Sequence, residues 1–126
     1  MKMVFDTYTW IEYFLGTQKG KTVEQYLSEN DIITPTIVLI ELSYKAAKEG
    51  WNFKEYFEFI KSKSLTIDIK REVIMETGKV CVEMKKKQPH FSLVDVLILT
   101  IALVERAAIL TGDKDFTGLE HAIFLK

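Results

Sequence analysis

Met3-Val4-Phe5-Asp6-Thr7 opens the chain with three apolar residues that run straight into a carboxylate, and Ala108-Ile109-Leu110-Thr111-Gly112-Asp113 repeats that arrangement near the other end. Short apolar runs closed by a polar or glycine-containing turn fit buried strands. Between them, helical and strand-like spacings alternate. Ile32-Ile33 forms a second strand candidate, Leu65, Ile67 and Ile69 alternate with polar residues as a third, and Ala122 to Leu125 make a final edge strand. Thr9 with Glu12 three residues on has a capping-box pattern that opens a first helix, and Val23, Tyr26 and Leu27 mark a second. Thr34 and Pro35 read as the N-cap and first residue of a third helix, which Gly50 ends. Phe53, Tyr56, Phe57 and Ile60 mark a fourth, and Ile74, Thr77, Val80, Cys81 and Met84 a fifth. The fifth ends in Lys85-Lys86-Lys87, where cations suit the helix macrodipole, with Pro89 beyond. A sixth begins at Ser92 and is apolar on most sides from Leu93 to Val104, which predicts a central, largely covered helix. Strands joined by connections long enough to hold helices predict an α/β fold, a parallel sheet covered on both faces. Ligands of such sheets bind beyond the carboxyl ends of the strands, where Asp6 and Asp113 fall.

A chain of 126 residues that is 48% hydrophobic suits one domain, residues 1–126, with a sizeable core. The 17 basic and 18 acidic residues nearly cancel, which excludes a binder that relies on a global cationic field. A local basic stripe for nucleic acid remains compatible with that balance. One cysteine, Cys81, excludes an intrachain disulfide framework and a cysteine-based zinc site, and it is expected to fill core space in a reducing, cytoplasmic compartment. The first residues reach an acid too soon for a signal-peptide apolar region, and the apolar stretch Val96 to Val104 is far shorter than the roughly 20 residues of a membrane span. No membrane association is expected.

Four acids stand in apolar surroundings: Asp6, Glu41, Asp95 and Asp113. Burying a carboxylate is costly without a partner, so each needs a cation or dense hydrogen bonding. Each also has a local explanation. Asp6 or Thr7 can cap the first helix, Glu41 can pair with Lys45 one turn on, Ser92-Leu93-Val94-Asp95 is itself a capping-box pattern, and Asp113 and Asp115 lie in a polar turn. Taken together, four carboxylates match the preference of Mg²⁺ or Mn²⁺ for oxygen ligands. Two of them about 4 Å apart would repel by roughly 4 kcal/mol at an effective dielectric of about 20, so convergence predicts a cation or shifted pKa values.

At these residues the chain resembles the PIN-domain family, and especially VapC-type toxins of toxin–antitoxin pairs. The resemblance runs through Val4-Phe5-Asp6-Thr7, Pro35 to Leu42 with Glu41, Ser92 to Ile98 with Asp95, and Thr111-Gly112-Asp113-Lys114-Asp115-Phe116, so it covers nearly the whole chain. It implies a Rossmann-like three-layer α/β/α fold with a mainly parallel central sheet. It also implies a Mg²⁺- or Mn²⁺-dependent endoribonuclease with Asp6, Glu41, Asp95 and Asp113 around the metal. By the same resemblance Asp115 holds a water or second ion, and Thr7 and Thr111 orient the carboxylates. A homodimer and a cognate antitoxin that covers the groove are further implications. Tyr8 departs from the small polar residue frequent in relatives, and either narrows the pocket mouth or packs outward.

An RNA substrate needs cations around an acidic pocket. Lys45, Lys48 and Lys114 are the candidates, with Lys85, Lys86 and Lys87 equally readable as a solvated helix end. Trp10, Tyr13 and Phe14 can stack on bases, although packing or dimerisation is the favoured reading. His90 and His121 lack metal-ligand spacing, and no Ser-His-Asp arrangement is legible. The rival functions are a PIN-type RNA- or protein-binding processing factor that does not cut, and a phosphoacceptor signalling domain. The second needs an acid at the end of a central strand, whereas the acid of Ile67-Asp68-Ile69 falls within the alternation.

Overall fold

In the computed structural model, which describes residues 1–125, β1 (Lys2–Phe5) passes into α1 (Thr7–Leu15) with Asp6 as the only residue between them. There follow α2 (Gln18–Glu29), β2 (Asp31–Pro35), α3 (Thr36–Glu49), α4 (Phe53–Lys63) and β3 (Leu65–Ile67). The second half holds α5 (Arg71–Lys87), α6 (Leu93–Glu105), β4 (Ala108–Thr111), a 3₁₀ turn (Lys114–Phe116) and β5 (Ala122–Phe124). All four strand pairings are parallel and the order is β3-β2-β1-β4-β5. The chain therefore steps outward from β1 to β3, then crosses back to β4 and β5. Right-handed crossovers in opposite directions put helices on opposite faces, so α1 to α4 cover one side and α5 and α6 the other. This is the three-layer α/β arrangement of a PIN fold.

The three inner strands carry the core: Met3, Val4, Phe5, Ile32, Ile33, Ile109 and Leu110 are all buried. Continuous burial along these strands follows from helices on both faces. On the α1 side, Trp10 stacks on Phe14 with ring centroids 5.8 Å apart, and Tyr13 stacks on Phe59 at 5.4 Å. These aromatics thus join α1 to α4, and Trp10 is fully buried, which assigns it to packing rather than to base stacking. On the other side Val96, Ile98, Leu99, Ile101 and Ala102 of α6 are buried, while Leu93 and Leu103 are exposed, so the helix is covered along its middle only. Cys81 is half-buried against the core, as expected of a space-filling thiol.

Two helix starts differ from the sequence expectation. Helix α1 begins at Thr7, capped by Asp6, because the Thr9 hydroxyl donates to the Leu110 carbonyl of β4 instead of capping its own helix. Glu12, the other half of the expected box, accepts from the Thr17 hydroxyl. Likewise Thr34 does not cap α3. Its hydroxyl accepts from the Trp10 indole N–H at 3.2 Å and bonds the Ser64 hydroxyl at 2.8 Å, and Pro35 ends the strand in register with Ile67. β3 stops at Ile67, leaving Ile69 exposed, and it lies at a sheet edge rather than at the centre.

Helix α2 lies very close to α1. A Cβ at Gly20 would stand 2.2 Å from the Glu12 carbonyl oxygen, so only glycine permits this approach. Gly20→Ala is expected to push the helices apart and cost about 1–3 kcal/mol, the usual range for overpacking. Urea unfolding measures it, and an unchanged midpoint would mean that the two helices separate without penalty.

Candidate metal centre

The crossing-back of the chain makes β1 and β4 the switch point of the sheet, and their carboxyl ends open side by side into the place where parallel sheets receive ligands. Asp6 leaves β1 there and Asp113 follows β4 two residues after Thr111. Asp95, in the first turn of α6, comes to the same place. Asp95, Asp113 and Asp115 each offer a carboxylate oxygen within 4.8 Å of the others, and all three are half-buried. Asp6 is buried, and Asp113 is among the charges acting on it. Glu41 is not in the three-carboxylate group. It accepts a hydrogen bond from the Thr7 hydroxyl, on the residue after Asp6, and so stands at the same strand end by way of α3. The alternative for Glu41, a pair with Lys45, does not form, since Lys45 bonds Glu49 at 3.2 Å.

Asp6, Asp95 and Asp113 do have local structural roles. Asp6 accepts from the Thr9 N–H at 2.9 Å through Oδ1. Asp95 completes its capping box with Ser92, its Oδ2 accepting from the Ser92 N–H at 3.3 Å. Asp113 accepts from the Asp115 N–H at 2.9 Å through Oδ1, and its own N–H donates to the Thr111 hydroxyl at 2.9 Å. In each case one oxygen accepts the backbone bond and the carboxylate has a second. Capping and cation binding are compatible because they use different atoms, and the cap fixes the direction of the other oxygen.

Electrostatics at this point are strained. Burial pushes the Asp6 carboxyl up from 3.8 to about 6, against the opposing hydrogen bonds of the Thr111 hydroxyl and the Thr9 amide and hydroxyl, with the Asp113 charge adding to the rise. Asp95 is also raised, first by burial and then by the charges of Asp113 and Asp115, with Ser92 opposing. Two carboxylate oxygens no more than 4.8 Å apart repel by at least about 3 kcal/mol at an effective dielectric of about 20. Among the described residues, every ion pair lies elsewhere: Lys45 with Glu49, Lys70 with Glu105, Lys79 with Glu76 and Lys86 with Glu83. A set of unpaired hard-oxygen donors fits Mg²⁺ or Mn²⁺ by its chemistry.

Of the lysines expected near a substrate, Lys114 lies within the acidic loop, between Asp113 and Asp115. Lys45 is turned to Glu49 and the Trp51 ring, Lys48 is exposed on the last turn of α3, and Lys86 pairs with Glu83 in the exposed end of α5. A cation the sequence reading missed is Lys19, whose ammonium donates to the Tyr8 hydroxyl at 3.1 Å. Its approach depends on the close packing of α2 on α1, of which the glycine at position 20 was the one available sign.

A model of the PIN domain matches residues 3–121, and the chain belongs to the PIN-domain family. Solved structures agree on the fold. A toxin–antitoxin complex from Klebsiella pneumoniae superposes with a TM-score of 0.76 at 21% identity over 98% of both chains. The VapBC2 complex of Rickettsia felis, bound to a DNA fragment from their promoter, gives 0.77 at 22% identity over 98% of this chain and 97% of that one. A sarcin–ricin-loop-cleaving VapC toxin of Mycobacterium tuberculosis gives 0.73 at 12% identity over 94% and 95%. Comparison with curated protein sequences gives no match. Among the described residues, no helix is long and apolar enough to cross a membrane.

The raised Asp6 carboxyl sets a pH dependence. Its folded-state pKa of about 6 exceeds the unfolded value of 3.8, so the folded protein holds more protons between these values and its metal-free stability falls as pH rises from about 4 to 6. Asp6→Asn, which cannot ionise, is expected to remove this slope, on the order of 2–3 kcal/mol across the window. Chemical denaturation in EDTA at a series of pH values measures it. A wild-type slope surviving intact in the variant would assign the titration to another group.

Proposed function

We propose that this single PIN domain is a Mg²⁺- or Mn²⁺-dependent endoribonuclease and the toxin of a VapBC-type toxin–antitoxin pair. The observation that carries the reading is the meeting of Asp95, Asp113 and Asp115 beside buried Asp6, with no cation among the described residues paired to them. Asp6, Glu41, Asp95 and Asp113 are the proposed ligands, with Asp115 able to add an oxygen. A bound cation supplies polarisation of a phosphate oxygen and a lowered pKa for an attacking water. The chain's own residues hold the geometry. The Thr7 hydroxyl orients Glu41, and the Thr111 hydroxyl fixes the Asp113 amide and thereby the start of the acidic loop. Asp6 would have to be ionised to hold a cation, so its raised carboxyl would weaken loading below about pH 6. A cognate antitoxin, RNA as substrate, a homodimer and a cytoplasmic setting belong to the same proposal. The solved VapBC complexes with this fold support the antitoxin.

Asp95→Asn separates capping from ligation, because the Asn carbonyl oxygen can still accept from the Ser92 N–H. The variant is expected to unfold within about 1 kcal/mol of wild type. It should lose metal-dependent cleavage of a labelled structured RNA panel by at least about a hundredfold, the scale on which an electrostatic contributor to the transition state is lost. EDTA should abolish wild-type cutting. Full activity in Asp95→Asn would sink the ligand assignment, and no cutting by the wild type across the panel would favour the non-cleaving RNA- or protein-binding reading.

Divalent cations should also stabilise the fold by mass action, about 2.7 kcal/mol at a hundred times the dissociation constant. Thermal denaturation with Mn²⁺ against EDTA tests this without RNA, and equal midpoints at saturating Mn²⁺ would argue that the carboxylates hold no ion.

A further inference from the structure

Beside the acidic group lies a cleft of about 680 Å³ lined by Tyr8, Lys19, Gly112, Asp113, Lys114 and Phe124, among others. Two lysines line it, and it shares Asp113 with the carboxylate group. The Tyr8 ring rests on Gly112 so closely that a Cβ there would stand 2.1 Å from Tyr8 Cε1. Tyr8 in turn holds Lys19, whose ammonium donates to the hydroxyl at 3.1 Å and lies 5.5 Å from the ring centroid. The lysine's helix is itself fixed, by Gly20 against the Glu12 carbonyl and by the Thr17 hydroxyl, which accepts from the Gly20 N–H at 3.0 Å. Lys19 is thus a positioned cation, unlike the exposed lysines of α5.

We infer that Lys19, braced by Tyr8 on Gly112, is the residue that seats an RNA backbone phosphate next to the carboxylate group, in a cleft that Lys114 also lines. An ammonium has three N–H donors, and Tyr8 takes one, leaving two for phosphate oxygens. The Tyr8 hydroxyl also pushes the Lys19 pKa above the ordinary lysine value, keeping the group cationic. The seat answers a specific difficulty. A phosphodiester approaching clustered carboxylates is repelled, and a cation within a Debye length of about 8 Å offsets that at physiological salt. Tyr8 then narrows the mouth and braces the cation, and Gly112 is the residue that makes room for its ring.

The seat rests on the proposed ribonuclease function, and one experiment separates the two. Binding of a short labelled single-stranded RNA of mixed sequence is measured by fluorescence anisotropy in EDTA at several salt concentrations, and cleavage of the structured panel is measured separately with Mn²⁺. Lys19→Ala is expected to weaken binding about tenfold and to lower the slope of log affinity against log salt by about 0.7 for each phosphate it no longer neutralises. Tyr8→Phe keeps the ring and removes the brace, and should weaken binding about threefold. Lys19→Arg should restore most of the loss, and Lys79→Ala, on exposed α5, should stay within about twofold of wild type. Where the wild type cuts, Lys19→Ala should raise KM and leave kcat nearly unchanged. If Lys19→Ala binds with wild-type affinity and slope, if Lys79→Ala loses as much, or if the wild type does not bind the probe, the seat is overturned. Lys19-dependent binding without cleavage would support the seat and remove the nuclease, whereas cleavage with Lys19-independent binding would do the reverse.

Discussion

The Asp6 carboxylate is the constraint on which most of this structure turns. It ends β1, caps α1 through the Thr9 N–H, and is buried with almost no exposure at the one place where the sheet changes direction. A buried acid with a pKa raised to about 6 is a standing cost to the folded chain near neutral pH. Its neighbours are arranged around that cost. The Thr9 N–H and the Thr111 hydroxyl direct hydrogens toward it, and the Thr9 hydroxyl is anchored on the Leu110 carbonyl of β4. The strand pairing of β1 with β4 and the geometry of the acidic group are therefore one arrangement.

Each acid serves both local structure and the centre. Asp6, Asp95 and Asp113 accept short-range backbone hydrogen bonds that any helix start or turn would welcome. A capping role fixes a side chain's rotamer, which is the expensive part of building a site from flexible groups. These carboxylates are thus held in place by backbone hydrogen bonds, and a cation binding there would have little ordering left to do.

Hydrophobic spacing revealed the alternation of strands and helices because it reflects burial, a property each segment carries in its own residues. It misjudged the starts of α1 and α3 for one reason. Thr9 and Thr34 look like caps in local sequence, yet their hydroxyls are taken by Leu110 and by Trp10 and Ser64, partners brought close only by tertiary packing. The acids were legible for the opposite reason, since a carboxylate amid apolar residues is conspicuous wherever the chain goes. Their grouping was only partly so: Asp115 stands with Asp95 and Asp113, while Glu41 is reached through Thr7. Lys19 was invisible because its significance comes from the closeness of two helices and not from its neighbours in sequence.

The pairing of β1 with β4 also sets a timetable. β1 is made well before its partner, and the bond from Thr9 to Leu110 spans 101 positions. Contacts of such separation form late, after the loop between them has been closed. While the chain is being synthesised, α1 to α4 can gather on β1, β2 and β3, but Asp6 has no Asp113 beside it until β4 and the loop that follows it have left the ribosome. The acidic group is consequently absent from every nascent chain that stops short of Asp115.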